Sequence, residues 1–142
     1  MSDNCTFCLR DFKGNYVVVE NDNWLVRHSE ETNILGYFIL QPKRHILDLA
    51  EASEKECMDY AILLKTLMAC VKKITQCKRV YTFSLAEAVP HYHLHVIPRA
   101  HDFPRAYVGR GITNYPLAPK APEGLVEEAC FRARKLLVPL PV

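Results

Sequence analysis

Between Pro90 and Pro98 three histidines alternate with bulkier residues, in the order His91-Tyr92-His93-Leu94-His95-Val96-Ile97. Side chains on an extended strand point to opposite faces in turn, so His91, His93 and His95 share one face and Tyr92, Leu94 and Val96 the other. A chain carrying such a strand needs a sheet with one face buried under other elements and an opposite face able to hold three imidazoles. A single histidine would be read as a surface residue. Three at strict alternation make a poor core and point to a site for metal, phosphate or both. Imidazole acts as nucleophile, acid or base near neutral pH, and one ring nitrogen can be held while the other reacts.

The rest of the chain supplies the sheet and its cover. Tyr16–Val19 is a β-branched run that stops at Glu20-Asn21-Asp22-Asn23, and Trp24–His28 follows as a second strand. After the polar loop from Ser29 to Asn33, Gly36–Gln41 reads as a third strand ended by Pro42. Short strands separated by turn residues predict an antiparallel meander. Arg79–Leu85 and His91–Ile97 add two more. Between the two groups lies a helix over Ser53–Cys77. Ser53 and Glu56 form a capping box at its start, and Met58, Ala61, Leu64, Met68, Val71 and Ile74 recur at three- and four-residue spacings as its core face. Phe103–Pro122, rich in Pro and Gly, reads as an extended loop. Glu123–Val138 reads as a second helix, with acidic residues early and basic ones late, as the helix dipole favours. The expectation is an α+β fold, an antiparallel sheet of about five strands with a long helix and a C-terminal helix, in one domain over 1–142.

Composition narrows the function classes. The 142 residues are 49% hydrophobic and 24% charged with net charge +2, which suits a globular chain with a core. No Lys/Arg run is long enough for a nucleic-acid stripe, and no stretch approaches a membrane helix of roughly 20 apolar residues. The polar N-terminus lacks the order of a signal peptide, so the expected location is the cytoplasm. Cys57, Cys70, Cys77 and Cys130 read as small buried or part-buried thiols. Cys5 and Cys8 form a CxxC pair, which in a reducing compartment means metal or redox chemistry.

The segment His91-x-His93-x-His95 followed by apolar residues resembles the signature of the histidine-triad (HIT) superfamily. Gly36-Tyr37-Phe38-Ile39-Leu40-Gln41-Pro42-Lys43-Arg44-His45-Ile46 resembles that family's strand ending in a Pro-Lys-x-His turn, and Cys5-Thr6-Phe7-Cys8 resembles the CxxC of its zinc-containing members. The resemblance covers roughly 5–101 and leaves 102–142 as a C-terminal extension. It implies a nucleotide substrate. His93 would attack the α-phosphate to form a covalent nucleotidyl-imidazole, and His95 would hydrogen-bond the phosphate and help protonate the leaving group. It also implies a structural Zn²⁺ on Cys5, Cys8, His45 and His91, a thiolate–imidazole set that suits zinc and leaves no open position. A homodimer through the helix and an edge strand is a further implication.

The chain departs from the family pattern around the phosphate. Glu87 and Ala88 stand where Gln and Ser or Thr are usual, Ser29 replaces the ribose-contacting Asp, and Gly36-Tyr37 replaces Gly-His. Ser29, Tyr37, Glu87 and Arg99 are therefore the candidate substrate contacts, with Arg105 and Arg110 as further guanidinium donors for phosphate. Three functions stay open: a nucleotidyl hydrolase or transferase acting on a phosphoanhydride or phosphoramidate, a nucleotide-binding module without turnover, and a metalloenzyme with a catalytic ion on His91, His93 and His95.

Overall fold

The computed structural model describes residues 4–12 and 14–137. Five strands form one antiparallel sheet: β1 (Val17–Glu20), β2 (Trp24–His28), β3 (Phe38–Pro42), β4 (Arg79–Phe83) and β5 (Leu94–Arg99). Their order is β1-β2-β3-β5-β4, so the histidine-bearing strand lies inside the sheet and β4 forms one edge. Three α-helices complete the fold: α1 (Thr6–Leu9), α2 (Glu54–Thr75) and α3 (Glu123–Leu137). Val138, assigned above to the last helix, lies outside the described residues.

The alternation in each strand decides which way it faces. Trp24, Val26, Phe38, Leu40, Leu94 and Val96 point to one side and form the main core with Leu63, Leu67 and Val71 of α2 and Val126, Cys130 and Ala133 of α3. Burying each large apolar side chain of this kind stabilises the fold by about 1.5–3 kcal/mol. Arg134 of α3 donates from Nε to the Val17 carbonyl at 3.1 Å and from Nη2 to that of Asn15 at 2.6 Å, which ties the last helix to the first strand.

The capping box at Ser53 and Glu56 is present. Glu56 does more than cap. Arg44 donates to its Oε1 at 2.8 Å and its Oε2 at 3.2 Å, and these bonds hold its carboxyl down at about 2. The indole Nε1 of fully buried Trp24 donates to the Glu56 carbonyl at 3.0 Å. One turn of α2 thereby anchors both the second strand and the Pro42–His45 turn.

Three expectations are corrected. The buried face of α2 is Leu63, Leu67, Cys70, Val71 and Ile74, while Met58 is 63% exposed and Ala61 is exposed. Leu64 and Met68 lie on its flank because the helix docks rotated about one residue from the stripe proposed above. Phe103–Pro122 is not a bare loop. It contains 3-10 turns at Arg105–Tyr107 and Gly109–Asn114, and Ile112, Phe103, Tyr115 and Leu117 pack on Tyr37, Ile39, Ile97 and Phe83 across the other sheet face. Third, β5 begins at Leu94 and includes Pro98, so His91 and His93 precede its hydrogen-bonded part. Pro98 faces β4 near the sheet's end, where Lys78 and Arg99 still bond across the pair.

Candidate active site and metal centre

Four residues distant in sequence meet at the start of the histidine segment. Cys5 is the N-cap of α1, so its thiol and that of Cys8 sit one turn apart, with the Cys8 amide donating to Cys5 Sγ at 3.4 Å. The Pro42–His45 turn, held by Glu56, brings in His45, and the loop before β5 brings in His91. Cys5 Sγ lies 3.5 Å from His91 Nδ1, and Cys8 Sγ lies 3.4 Å from His45 Nδ1 and 3.5 Å from His91 Nδ1. All four ligand atoms fall within 4.8 Å of one another. In a tetrahedral site with Zn–S near 2.3 Å and Zn–N near 2.0 Å, neighbouring S and N atoms stand about 3.5 Å apart, so the donor set and its spacing fit zinc. His91 Nε2–H donates to the Pro42 carbonyl at 2.9 Å, which orients the ring with Nδ1 toward the thiols.

His93 and His95 are not part of this cluster. His93 is buried, and its Nδ1–H donates to the His91 carbonyl at 2.8 Å, leaving Nε2 unprotonated. Burial, with the nearby Arg27 guanidinium, pushes its pKa below the usual imidazole range, so the ring is neutral at pH 7. His95 stacks on Phe83, with ring centres 4.7 Å apart and planes at 23°, and its Nδ1 lies 2.7 Å from Tyr37 Oη. Burial, His93 and Arg27 bring its pKa down to about 4, whereas burial raises the Tyr37 phenol to about 12. Both partners are neutral, and the phenol O–H donating to Nδ1 leaves an N–H at Nε2.

The turn that delivers Tyr37 depends on His28. Its Nδ1–H donates to the Ser29 carbonyl at 2.9 Å and its Nε2 accepts from the Gly36 amide at 2.9 Å. Gly36 has φ +86°, and a Cβ there would meet Thr75 Cγ2 at 2.5 Å, so the turn requires glycine. Protonating His28 would break its bond from Gly36. Burial holds its pKa at about 4 against 6.5 for the free side chain. The unfolded chain therefore binds more protons between those values, and stability falls as pH drops through that window. The expected loss between pH 7 and pH 5 is about 2 kcal/mol from this residue. Urea unfolding of wild type and His28→Phe checks it: the variant's stability should depend on pH with a slope smaller by close to one proton. An unchanged slope would assign the effect elsewhere.

The other expected contacts are dispersed. Ser29 is buried, but its Oγ accepts from the Glu31 amide at 3.2 Å within a turn. Glu87 is exposed in the loop between β4 and β5. Arg99 lies four residues beyond His95, with its Cζ 5.9 Å from the Tyr81 ring, and Arg105 and Arg110 are exposed on the 3-10 turns. Of the substrate candidates, only Tyr37 touches a triad histidine. Three neighbours are not signalled as site residues by the motifs, the first being Phe83, stacked on His95. Phe7 of α1 stands edge-on to His93 at 4.9 Å, and Arg27 of β2 occupies the row Arg27–Ile39–His95–Phe83 that register draws across the sheet. The alternation of β2 signalled Arg27, since it shares a face with Leu25 and not with Val26.

An antiparallel five-stranded sheet under two helices, with a neutral imidazole beside a Cys2His2 cluster, defines a small α+β protein of the histidine-triad kind. The HIT domain profile matches residues 13–102, and the chain belongs to that family. A comparison with curated proteins finds no significant match. Among solved structures the chain is similar to a hypothetical histidine triad nucleotide-binding protein from Sulfolobus tokodaii (20% identity, 94% of this chain and 91% of that one, TM-score 0.72). It is also similar to a zinc-bound histidine triad family protein from Mycobacterium smegmatis (19% identity, 94% and 93%, TM-score 0.68). A third is the diadenosine triphosphate hydrolase of Plasmodium falciparum (15% identity, 91% and 80%, TM-score 0.67). At these identities the likeness concerns the fold.

Proposed function

We propose that the chain is a nucleotide hydrolase or transferase that cleaves a nucleotidyl phosphoanhydride or phosphoramidate through a covalent nucleotidyl-His93. The observation that carries this reading is the bond from His93 Nδ1–H to the His91 carbonyl, because it leaves an unprotonated Nε2 with its lone pair on a neutral ring. The Nε2 lone pair would form the bond to the α-phosphorus while the P–O or P–N bond to the leaving group breaks. His95 would donate its Nε2–H to the reacting phosphate or leaving group, and the anion's arrival would raise the His95 pKa and help it carry a proton. Water or another acceptor would then displace His93 and release the nucleotide.

Zinc, held by Cys5, Cys8, His45 and His91, would have a structural part, pinning α1 and the Pro42–His45 turn to the base of the histidine segment. We read 1–142 as one domain, placed in the cytoplasm and assembled as a homodimer. Favouring the dimer is a groove of 520 Å³ along the flank of α2, lined by Tyr60, Ala61, Leu64 and Met68 with Lys65 and Lys72. No helix among the described residues is long and apolar enough to cross a membrane.

The test is covalent capture. Radiolabelled nucleoside phosphoramidates and dinucleoside polyphosphates are incubated with the protein, the reaction is quenched in alkali, and acid-labile label is mapped to His93. The second reading is a nucleotide-binding module without turnover, favoured by Glu87 and Ala88 in the loop preceding the histidines. Ligand-dependent thermal stabilisation with neither label nor product would select it. Tyr37 is a positioning residue in the leading reading. Tyr37→Phe should lower kcat about 10-fold and leave KM nearly unchanged, since the phenol sets the His95 tautomer and not ground-state binding. An equal loss in KM would assign Tyr37 to substrate contact instead.

A further inference from the structure

Arg27 is a cation in the wrong place for a purely structural role. It is 3% exposed in the second strand, and no carboxylate among the described residues pairs with it. Its Nε donates to Gln41 Oε1 at 2.9 Å, and its Cζ lies 4.2 Å from the Phe12 ring centre and 5.1 Å from that of Phe7. Glu30 is the carboxylate whose field reaches it, but Glu30 Oε2 is committed to Arg10 at 2.7 Å, and Arg10 itself repels Arg27. Two guanidiniums thus share one carboxylate. A buried charge without its counter-ion costs several kcal/mol, and an aromatic sandwich offsets only part of that.

The surroundings indicate what supplies the missing charge. Phe7 touches both Arg27 and His93, at 5.1 Å and 4.9 Å, and the cross-strand row sets Arg27 two strands from His95. The guanidinium's field also reaches His95 and lowers its pKa, which places Arg27 within electrostatic reach of the site. Phe7, Phe12 and Gln41, the three side chains that hold Arg27, stand between it and a cavity of 160 Å³ that the metal ligands Cys8 and His91 also line, with Arg10 and Lys43 at its border. Arg10 and Lys43 each have a carboxylate partner, so the uncompensated charge is Arg27's.

We infer that Arg27 binds a second oxyanion of the substrate, distinct from the phosphate offered to His93, and so makes the site select ligands that carry two anionic groups. The inference rests on the nucleotidyl reading of His93. The shared chemistry is an oxyanion that a planar guanidinium can grip by a fork of N–H donors. It can be a further phosphate of an anhydride or a carboxylate on the leaving group of a phosphoramidate.

The test is calorimetric titration of the full chain with three probes: AMP, ADP, and the phosphoramidate formed between AMP and the aspartate amino group. Wild type, Arg27→Met and Arg27→Lys are compared, with thermal unfolding of each in the absence of ligand. Wild type is expected to bind ADP or the aspartyl phosphoramidate at least 10-fold tighter than AMP, and whichever is preferred identifies the anion's source. Arg27→Met should erase that preference and Arg27→Lys keep part of it. Unliganded Arg27→Met should unfold at the same temperature as wild type or above it, because a buried charge is gone. If Arg27→Met instead unfolds earlier and weakens all three probes by one common factor, Arg27 is a structural latch and the inference falls. Binding of AMP without preference for a second anion, together with label on His93 in the covalent-capture experiment, overturns the inference and spares the nucleotidyl reading. No binding of any probe and no label on His93 overturns both.

Discussion

His93→Ala is expected to lower turnover of a nucleotidyl phosphoanhydride or phosphoramidate by at least about 1000-fold, with fold and metal content unchanged. Truncation removes the atom that would form the covalent bond. The His91 carbonyl, which accepts from His93 Nδ1 at 2.8 Å, then loses its partner, a cost of about 1–3 kcal/mol in stability and small beside the catalytic effect. The main core is untouched, because His93 sits on the opposite side of the segment from Tyr92 and Leu94. Single-turnover rates together with circular dichroism check it. Activity within 10-fold of wild type in a folded variant would rule out His93 as the nucleophile. His93→Asn is the companion variant: it offers an amide to the His91 carbonyl without a nucleophilic nitrogen, so it should be as inactive as alanine and closer to wild type in stability.

Metal removal is expected to have the second largest effect. Zinc analysis of the purified protein should return close to one ion per chain, and Cys8→Ser should return nearly none. Loss of the ion should lower the unfolding temperature by about 10 °C or more, because metal binding at a structural site is coupled to folding. The reason lies in what the four ligands join. Cys5 caps α1 and Cys8 lies within it, a helix of four residues with no buried residue of its own, which cannot persist without an anchor. Phe7 on the same helix covers both His93 and Arg27. Chelation should therefore expose the site as well as destabilise the chain, and protease cutting near residues 9–12 should accelerate. Wild-type protein with no zinc and an unchanged unfolding temperature after chelation would refute the metal assignment.

Much of this architecture was legible before any coordinates. Trp24–His28 matches its strand residue for residue, and the Ser53/Glu56 box starts the long helix where the capping rule puts it. Period-two alternation carried the rest of the sheet, because an antiparallel strand with one buried face must repeat every second residue. The α2 face was misplaced for a related reason. Met58, Ala61, Leu64 and Met68 recur at three- and four-residue spacings from its exposed side to its flank and compete with the true core stripe, and periodicity alone does not choose between two apolar faces. The 103–122 segment was misread because 3-10 turns leave little periodicity, and its apolar anchors are held by contacts with a distant sheet face.

Local pattern thus determined which residues are strand or helix and that three histidines share a side. Those are consequences of covalent geometry and burial, which act over a few residues. Only the tertiary structure decided that the three histidines divide their tasks, with His91 turned into the thiols, His93 held by a backbone carbonyl and His95 held by Tyr37. The same holds for Arg27, an ordinary strand residue in sequence and, in the fold, a buried cation that no carboxylate among the described residues pairs with directly. The reason is that desolvation and pairing depend on what arrives from elsewhere in the chain, and neighbours such as Phe7, Gln41 and Phe83 are brought together by sheet register and by α1 docking rather than by sequence proximity.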